Sequence, residues 1–387
     1  MGSPKLFQPL QVGDMTLQHR VVMAPLTRFR ADDKHVPLPH VIDYYTQRAS
    51  VPGTLLISEA TFIAQRAGGY PNAPGIWSDT QIAAWKKITD AVHAQGSFIY
   101  LQLWALGRAA NPSQLTGEDP TLPYVSASAV PLPQKDAATP HALTVGEIQA
   151  YVELYATAAH NAVHRAGFDG VEVHGANGYL VDQFLQDVSN VRTDAYGGSV
   201  QNRARFALEV VEAVVKRVGE RKAAIRFSPW STAQGMGMSD PKPTFGYVVG
   251  ELRRLFPRLS YIHVVEPRVS GVTTLAHVPE GQSNDFIREI WGSGDGVHDR
   301  RLISAGGYNR NLGIAQADAK GDLIAYGRPF IANPDLPYRL AKDVPLAIGA
   351  RKWYYRYGSL DPKGYTDYPP AGEETASKDL FYVESKL

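Results

Sequence analysis

Short apolar runs recur along the chain at residues 21–24, 54–57, 97–103, 170–173, 223–227, 261–265, 302–304 and 323–325. Their length suits strands, and their near-continuous Val, Ile, Leu and Ala content suits a parallel sheet covered on both faces. Amphipathic windows lie between them, among them 78–94, 144–166, 200–218 and 245–256. Ser78 and Thr144 stand where N-caps belong, and Glu147 three residues after Thr144 completes a capping box. Strand and helix alternating in this way predict an α/β chain, a (β/α)8 TIM barrel occupying residues 1–387 as one domain. An open doubly wound sheet would carry a Gly-x-Gly-x-x-Gly turn after its first strand, and the chain has Pro25-Leu26-Thr27 there instead.

Three stretches depart from the βα unit. Residues 4–20 hold two apolar runs around Gly13-Asp14, which predicts an N-terminal β-hairpin plugging one end of the barrel. Residues 105–143, rich in Pro and Ser, follow the third strand, and 266–300, with a glycine-rich run at 292–296, follow the sixth. Both read as insertions over the C-terminal face and so as candidate lids. Residues 370–387 read as a C-terminal tail.

Composition narrows the function. With 39 Lys+Arg against 38 Asp+Glu, no net field draws in nucleic acid or an anionic membrane. There is no cysteine, so disulfides, thiolate metal sites and a thiol nucleophile are excluded, no metal site is expected, and redox chemistry would need a cofactor. Neither a signal peptide nor a membrane span is expected, since no run approaches the roughly 20 apolar residues of a span. Leu6 stands where a myristoylation motif wants Ser or Thr. Ser385-Lys386-Leu387 matches a peroxisomal address, so the expected location is the peroxisome in a eukaryotic source and the cytoplasm otherwise.

The chemistry gathers at the ends of the strands. Alternation places Glu172 and His174 on the face opposite Val171 and Val173, and the Asn177-Gly178 turn swings Tyr179 back beside them. His174 and Asn177 can both donate to one oxygen, and the Tyr179 hydroxyl can give a proton. Gln102 shares a strand face with Tyr100 and Trp104, which aims its amide into the barrel mouth. Arg226 needs a counter-charge there, supplied by Glu172 on the next strand or by an anionic ligand. Gly306-Gly307 and Gly327-Arg328 end the seventh and eighth strands, where barrels bind phosphate, and Pro329 suits the first turn of a short helix.

The run His174-Gly-Ala-Asn-Gly-Tyr-Leu180, with Asp182-Gln-Phe-Leu185, Arg192-Thr-Asp-Ala-Tyr-Gly-Gly-Ser199 and Asn202-Arg-Ala-Arg-Phe206, resembles the signature of the Old Yellow Enzyme family in its fungal form. Met23-Ala-Pro-Leu-Thr-Arg28, Gln102-Leu-Trp104, Ala305-Gly-Gly-Tyr308, Gly327-Arg-Pro-Phe330 and Gly364-Tyr-Thr-Asp-Tyr-Pro369 match in the same order, so the resemblance covers about residues 5–370. It implies non-covalent FMN. Thr27 would meet the flavin O4, Gln102 the pyrimidine edge and Arg226 the N1/O2 side; Pro25, Leu26 and Ala60 would line the ring, and Gly306, Gly307, Gly327 and Arg328 would hold the phosphate. It also implies an FMN-dependent ene-reductase with ping-pong transfer of hydride from NAD(P)H, NADPH favoured, through flavin N5 to the β-carbon of an activated alkene. His174 and Asn177 would bind the activating oxygen and Tyr179 would protonate the α-carbon. Trp104 and Tyr357, with Thr27, would shape the substrate pocket, in a monomer or homodimer. Arg28 and Arg30 read either as solvated charges or as contacts to a nicotinamide phosphate.

Two alternatives stand beside this reading. A flavin-free barrel aldolase or isomerase could use the same phosphate cradle, although no lysine occurs at the strand ends for a Schiff base. A redox-neutral flavin isomerase of an enal or enone would use the same cofactor, although a proton donor at Tyr179 argues for net reduction.

Overall fold

The computed structural model describes residues 2–271, 273–275, 277–292, 299–372 and 381–383. Its centre is a closed barrel of eight parallel strands: β1 (Val21–Met23), β2 (Leu55–Ile57), β3 (Phe98–Trp104), β4 (Gly170–Gly175), β5 (Ala223–Phe227), β6 (Tyr261–Val265), β7 (Leu302–Ala305) and β8 (Leu323–Tyr326). Each apolar run of the sequence has become one of them. Pairing of Ala325 with Val22 closes the ring between β8 and β1. Around it run α1 (Val41–Arg48), α2 (Asp79–Ala94), α3 (Val145–His160), α4 (Val200–Val218), α5 (Lys242–Leu255), α6 (Asp285–Gly292), α7 (Arg310–Lys320) and α8 (Leu336–Lys342).

Local sequence sets the helix boundaries. Ser78 caps α2 reciprocally with Gln81, and Thr144 caps α3 reciprocally with Glu147. Helix α5 begins before the apolar window because Pro243, which lacks an N–H, is tolerated in a first turn whose donors have no intrahelical partner. The window at 144–166 ends in a wider π turn over Asn161–Arg165.

Alternation along the strands builds two apolar layers. Leu56, Ile99, Leu101, Val171, Val173, Ile225 and Val264 face the helices. Leu55, Ile57, Tyr100, Ala224, Tyr261 and Ile303 fill the lower barrel together with Val12, Met15 and Leu17. Those last three come from the N-terminal hairpin, Leu10–Val12 paired antiparallel with Met15–Leu17, which therefore seals the N-terminal end of the barrel. Burial of a Val or Leu side chain of this kind stabilises by about 1.5–3 kcal/mol.

Above this apolar plug the inward positions turn polar, and there the register matters. Gln102 pairs with Glu172, His174 with Arg226 and Arg226 with His263, so four adjacent strands present their functional side chains at nearly one height. The stretch 105–143 lies between β3 and α3 and holds a helix at Pro112–Glu118 and a small parallel pair, Val125–Ser126 with His141–Ala142. The stretch 266–300 divides: a two-stranded hairpin, Val269–Ser270 with Thr273–Thr274, rises over the barrel mouth, whereas α6 is the helix that follows β6 in the ring. Within the glycine-rich run, residues 293–296 lie outside the described residues, as does Ser385-Lys386-Leu387; of the tail, 370–372 and a strand at Phe381–Val383 pairing with Leu346–Ile348 are described. Among the described residues no helix is long and apolar enough to cross a membrane.

Candidate active site

A cavity of about 810 Å³ opens at the C-terminal ends of the strands. Pro25, Leu26, Thr27, Ala60, Gln102, Trp104, His174, Asn177, Tyr179, Arg226, Gly306, Gly307, Gly327 and Arg328 all line it, which brings the residues singled out from the sequence around one cavity, with Tyr357 as the exception. Tyr357 is 55% exposed and packs on the outer side of Phe29, with ring centres 4.4 Å apart. The Gly358 N–H donates to the Phe29 carbonyl at 2.9 Å and fixes this segment so that Tyr355, two residues earlier, lines the cavity instead.

His174 has its tautomer set by the backbone. The Ala176 N–H points to His174 Nδ1 at 3.3 Å, so Nδ1 accepts and Nε2 carries the proton. Burial first, then the nearby Arg226 and His263, hold the imidazole pKa well below its usual value. The ring is therefore a neutral N–H donor at physiological pH. Asn177 sits in the left-handed region at φ 58°, its N–H donating to Ser228 Oγ at 2.7 Å and its carbonyl accepting from Gln234 Nε2 at 2.8 Å. Tyr179 precedes the short helix Leu180–Leu185 and meets Trp104 and His174 edge-on, with ring centres 5.0 and 4.9 Å apart. Burial drives its hydroxyl far above the usual phenol range, so it stays protonated and available as an acid.

The floor of the cavity is an ionic cluster without solvent. Glu172 accepts from Gln102 Nε2 at 2.7 Å and lies 2.8 Å from His263 Nδ1, all three side chains being buried. Burial would raise the Glu172 pKa, but His263, Arg226 and the Gln102 amide together hold it below the ordinary carboxylate value. Because a carboxylate only accepts, it fixes the Gln102 amide with NH2 toward Glu172 and leaves the carbonyl oxygen free. The Arg226 Nε has no protein partner, and its guanidinium faces the cavity. The expected Glu172–Arg226 relation is thus one of charge, while the direct hydrogen bonds to Glu172 come from Gln102 and His263. His263 was not legible as a partner because nothing marks it within the apolar run of β6.

At the other end, Gly306 (φ 138°) and Gly307 (φ 62°) expose backbone where a Cβ on Gly307 would lie 3.2 Å from Thr274. Arg328 donates to Thr274 Oγ1 at 2.7 Å, and Arg268, unnoticed in the sequence, donates to the Gly306 carbonyl. Arg28 and Arg30 are not solvated charges. Both are buried at 1% exposure and bind carbonyls of the C-terminal segment, Arg28 those of Tyr354 and Gly364 and Arg30 those of Ser359 and Asp361. Outside the cavity lining, Arg108 joins two loops, its guanidinium donating to the carbonyls of Val130 and Pro131 and to those of Gln234 and Gly235.

Residues 5–347 match the model of the NADH:flavin oxidoreductase / NADH oxidase family. The chain belongs to this family. It is a fungal-type Old Yellow Enzyme and, as such, an NAD(P)H-dependent flavin oxidoreductase acting on C=C bonds. It is 54% identical to chanoclavine-I aldehyde reductase fgaOx3 of Penicillium roqueforti (strain FM164) over 95% of this chain and 97% of the relative. The solved Old Yellow Enzyme of a Pichia species superposes with a TM-score of 0.86 at 39% identity, covering 97% of this chain and 96% of that one. Morphinone reductase in complex with tetrahydroNAD gives 0.82 at 40% identity, covering 96% and 100%.

The cavity suits the FMN this family implies. A polar, charge-complementary floor at Arg226 and the free Gln102 carbonyl matches a pyrimidine edge, Pro25, Leu26 and Ala60 offer an apolar face, and the opened backbone at Gly306-Gly307 with Arg328 suits a phosphate.

Proposed function

We propose that this Old Yellow Enzyme is an FMN-dependent ene-reductase that saturates the C=C bond of an α,β-unsaturated aldehyde, ketone or nitroalkene at the expense of NAD(P)H. The observation that carries this reading is the convergence of a neutral His174 with its proton on Nε2, Asn177 and a protonated Tyr179 on one cavity wall. FMN, which Thr27, Gln102, Arg226, Gly306, Gly307 and Arg328 would hold, would supply the two-electron hydride carrier between the nicotinamide and the alkene's β-carbon. His174 and Asn177 donate to the activating oxygen and stabilise the negative charge that develops there. Tyr179 then delivers its proton to the α-carbon. Arg226 remains cationic and compensates charge at the cavity floor, since a guanidinium does not lose its proton. Trp104 stands edge-on to Tyr179 and bounds the space for the substrate. The aldehyde in the name of the 54% identical relative favours an enal among the candidate substrates.

Removing one donor of the oxygen-binding pair costs about 10²–10³-fold in rate when a site is built this way. The test is NADPH and NADH oxidation by the FMN-loaded protein with cinnamaldehyde, 2-cyclohexenone and 1-nitrocyclohexene, repeated with His174→Ala and Tyr179→Phe. The expected outcome is turnover of at least the enal, with both variants impaired. A colourless protein that cannot be reconstituted with FMN, or variants turning over at the unmodified rate, would overturn the assignment.

A further inference from the structure

Gln183 does not line the cavity, yet it holds the backbone on both sides of Tyr179. It stands on the short helix that follows Tyr179, and its side chain is fully buried. A primary amide offers two N–H groups and two acceptor lone pairs, and here all four are used. Nε2 donates to the carbonyls of Gly178 at 2.8 Å and Leu106 at 3.0 Å. Oε1 accepts from the Arg108 backbone N–H at 3.1 Å and from Ser126 Oγ at 2.9 Å. The Gln183 backbone N–H donates to the Tyr179 carbonyl at 2.8 Å, and the Leu180 N–H donates to the Ala105 carbonyl at 3.1 Å. The peptide groups flanking Tyr179 are therefore tied to the residues that directly follow Trp104. Gly107 (φ 59°) makes the fit possible, because a Cβ there would overlap Gln183 Oε1.

Resting on the ene-reductase reading, we infer that Gln183 is a positioning residue that sets Tyr179 against Trp104 and so aims the phenol for proton delivery. The two rings meet at 90° with centres 5.0 Å apart, and they come from the two segments that this one amide joins. Tyr179 follows Gly178 (φ 78°), whose backbone freedom would otherwise let the ring swing. In the step itself the Tyr179 O–H bond breaks and a C–H bond forms at the α-carbon, using the electron pair left there by hydride addition. Solvent water reprotonates the phenolate. Proton transfer requires the phenol within hydrogen-bond reach of the carbon, so a displaced ring loses rate. Hydride delivery to the β-carbon does not use the phenol, and loss of Gln183 should separate the two steps.

A nitroalkene resolves them, because hydride addition gives a nitronate that persists until it is protonated. Enzyme loaded with FMN and reduced with NADPH is mixed anaerobically with 1-nitrocyclohexene, following flavin absorbance for hydride transfer and nitronate absorbance for protonation. Gln183→Leu is expected to keep hydride transfer within about threefold while protonation slows by about 10-fold to 100-fold, so that nitronate accumulates. Gln183→Glu is the second variant, used also if Gln183→Leu fails to fold. It keeps the size of the side chain and the acceptor for Arg108 and Ser126, but a protonated carboxyl donates only one bond and a carboxylate none. The same accumulation is expected in it. Ser126→Ala leaves both amide donors in place and should protonate like the parent; accumulation there as large as in the Gln183 variants would assign the effect to the outer loop and overturn the inference. Unmodified protonation in the Gln183 variants, hydride transfer and protonation falling together, or loss of FMN binding in Gln183→Glu overturns it equally. A parent enzyme that leaves all activated alkenes untouched, or Tyr179→Phe protonating at the parent rate, removes the ene-reductase reading itself, and this inference with it.

Discussion

Glu172 offers the sharpest test of how the cavity floor is built. Its carboxylate has no exposed surface, accepts from Gln102 at 2.7 Å, lies 2.8 Å from His263 and compensates the charge of Arg226. In Glu172→Ala the Gln102 and His263 donors lose their acceptor and Arg226 loses its counter-charge, a loss worth about 3–5 kcal/mol when one side of a buried ionic cluster is removed. In Glu172→Gln the shape survives. The new amide oxygen accepts from Gln102, and its NH2 meets His263 Nδ1, which drives the imidazole proton onto Nε2, where no protein acceptor lies. A buried donor without a partner costs about 1–3 kcal/mol. Urea unfolding of the apoprotein, followed by tryptophan fluorescence, should show midpoints falling in the order parent, Gln, Ala at constant slope. FMN titration should show weaker binding in both variants, by about tenfold for the loss of about 1.4 kcal/mol of orientation at Gln102. A Gln variant within about 0.5 kcal/mol of the parent, binding FMN equally, would refute the ionic account of the floor. The depressed Glu172 pKa adds a sign: its stabilisation is present above the unfolded carboxyl value and is lost as acid protonates it.

Glu59, buried beside Arg28, behaves in the opposite sense, because burial raises its pKa from 4.5 to about 7. The unfolded chain ionises first, so stability should fall by about 3 kcal/mol as pH rises from 4.5 to 7, and Glu59→Gln should flatten that slope in urea titrations across the range. Gly307→Ala forces a side chain into the left-handed region at a cost of about 1–2 kcal/mol, so FMN affinity measured by fluorescence quenching should drop by about tenfold; unchanged affinity would detach this turn from the phosphate. Tyr355→Ala should alter KM for bulky enals, whereas Tyr357→Ala should leave it within about twofold, since only Tyr355 lines the cavity. Reversal of that pattern in steady-state kinetics would restore Tyr357 to the site.

The barrel was legible because each strand is a compact apolar run and each alternation places one face inward. Gln102, Glu172, His174 and Arg226 could be aimed from that period alone, and the hairpin at 10–17 announced itself through Gly13-Asp14. What escaped lies where no period operates. The aromatic cluster at 353–357 offers several rings in succession, and the choice of Tyr355 over Tyr357 depends on a hydrogen bond to Phe29 more than 300 positions away. Arg28 and Arg30 read as solvated charges or nicotinamide-phosphate contacts because their acceptors are carbonyl groups, which leave no mark in a sequence. Gln234 sits in a loop between β5 and α5, and its side-chain partner, the Asn177 carbonyl, lies on another strand's loop. The stretch 266–300 looked like one insertion because α6 is short and borders a glycine-rich run.

The clasp at Arg108 has a consequence for how its two loops can vary. Its four carbonyl acceptors belong to Val130, Pro131, Gln234 and Gly235, and a carbonyl is present whatever side chain a residue carries. The two loops that Arg108 joins are thus free to exchange side chains while the joint between them persists. Grafting either loop from a relative would preserve that joint as long as its backbone path is kept. An insertion that lengthens one loop alone would leave the guanidinium with half its acceptors.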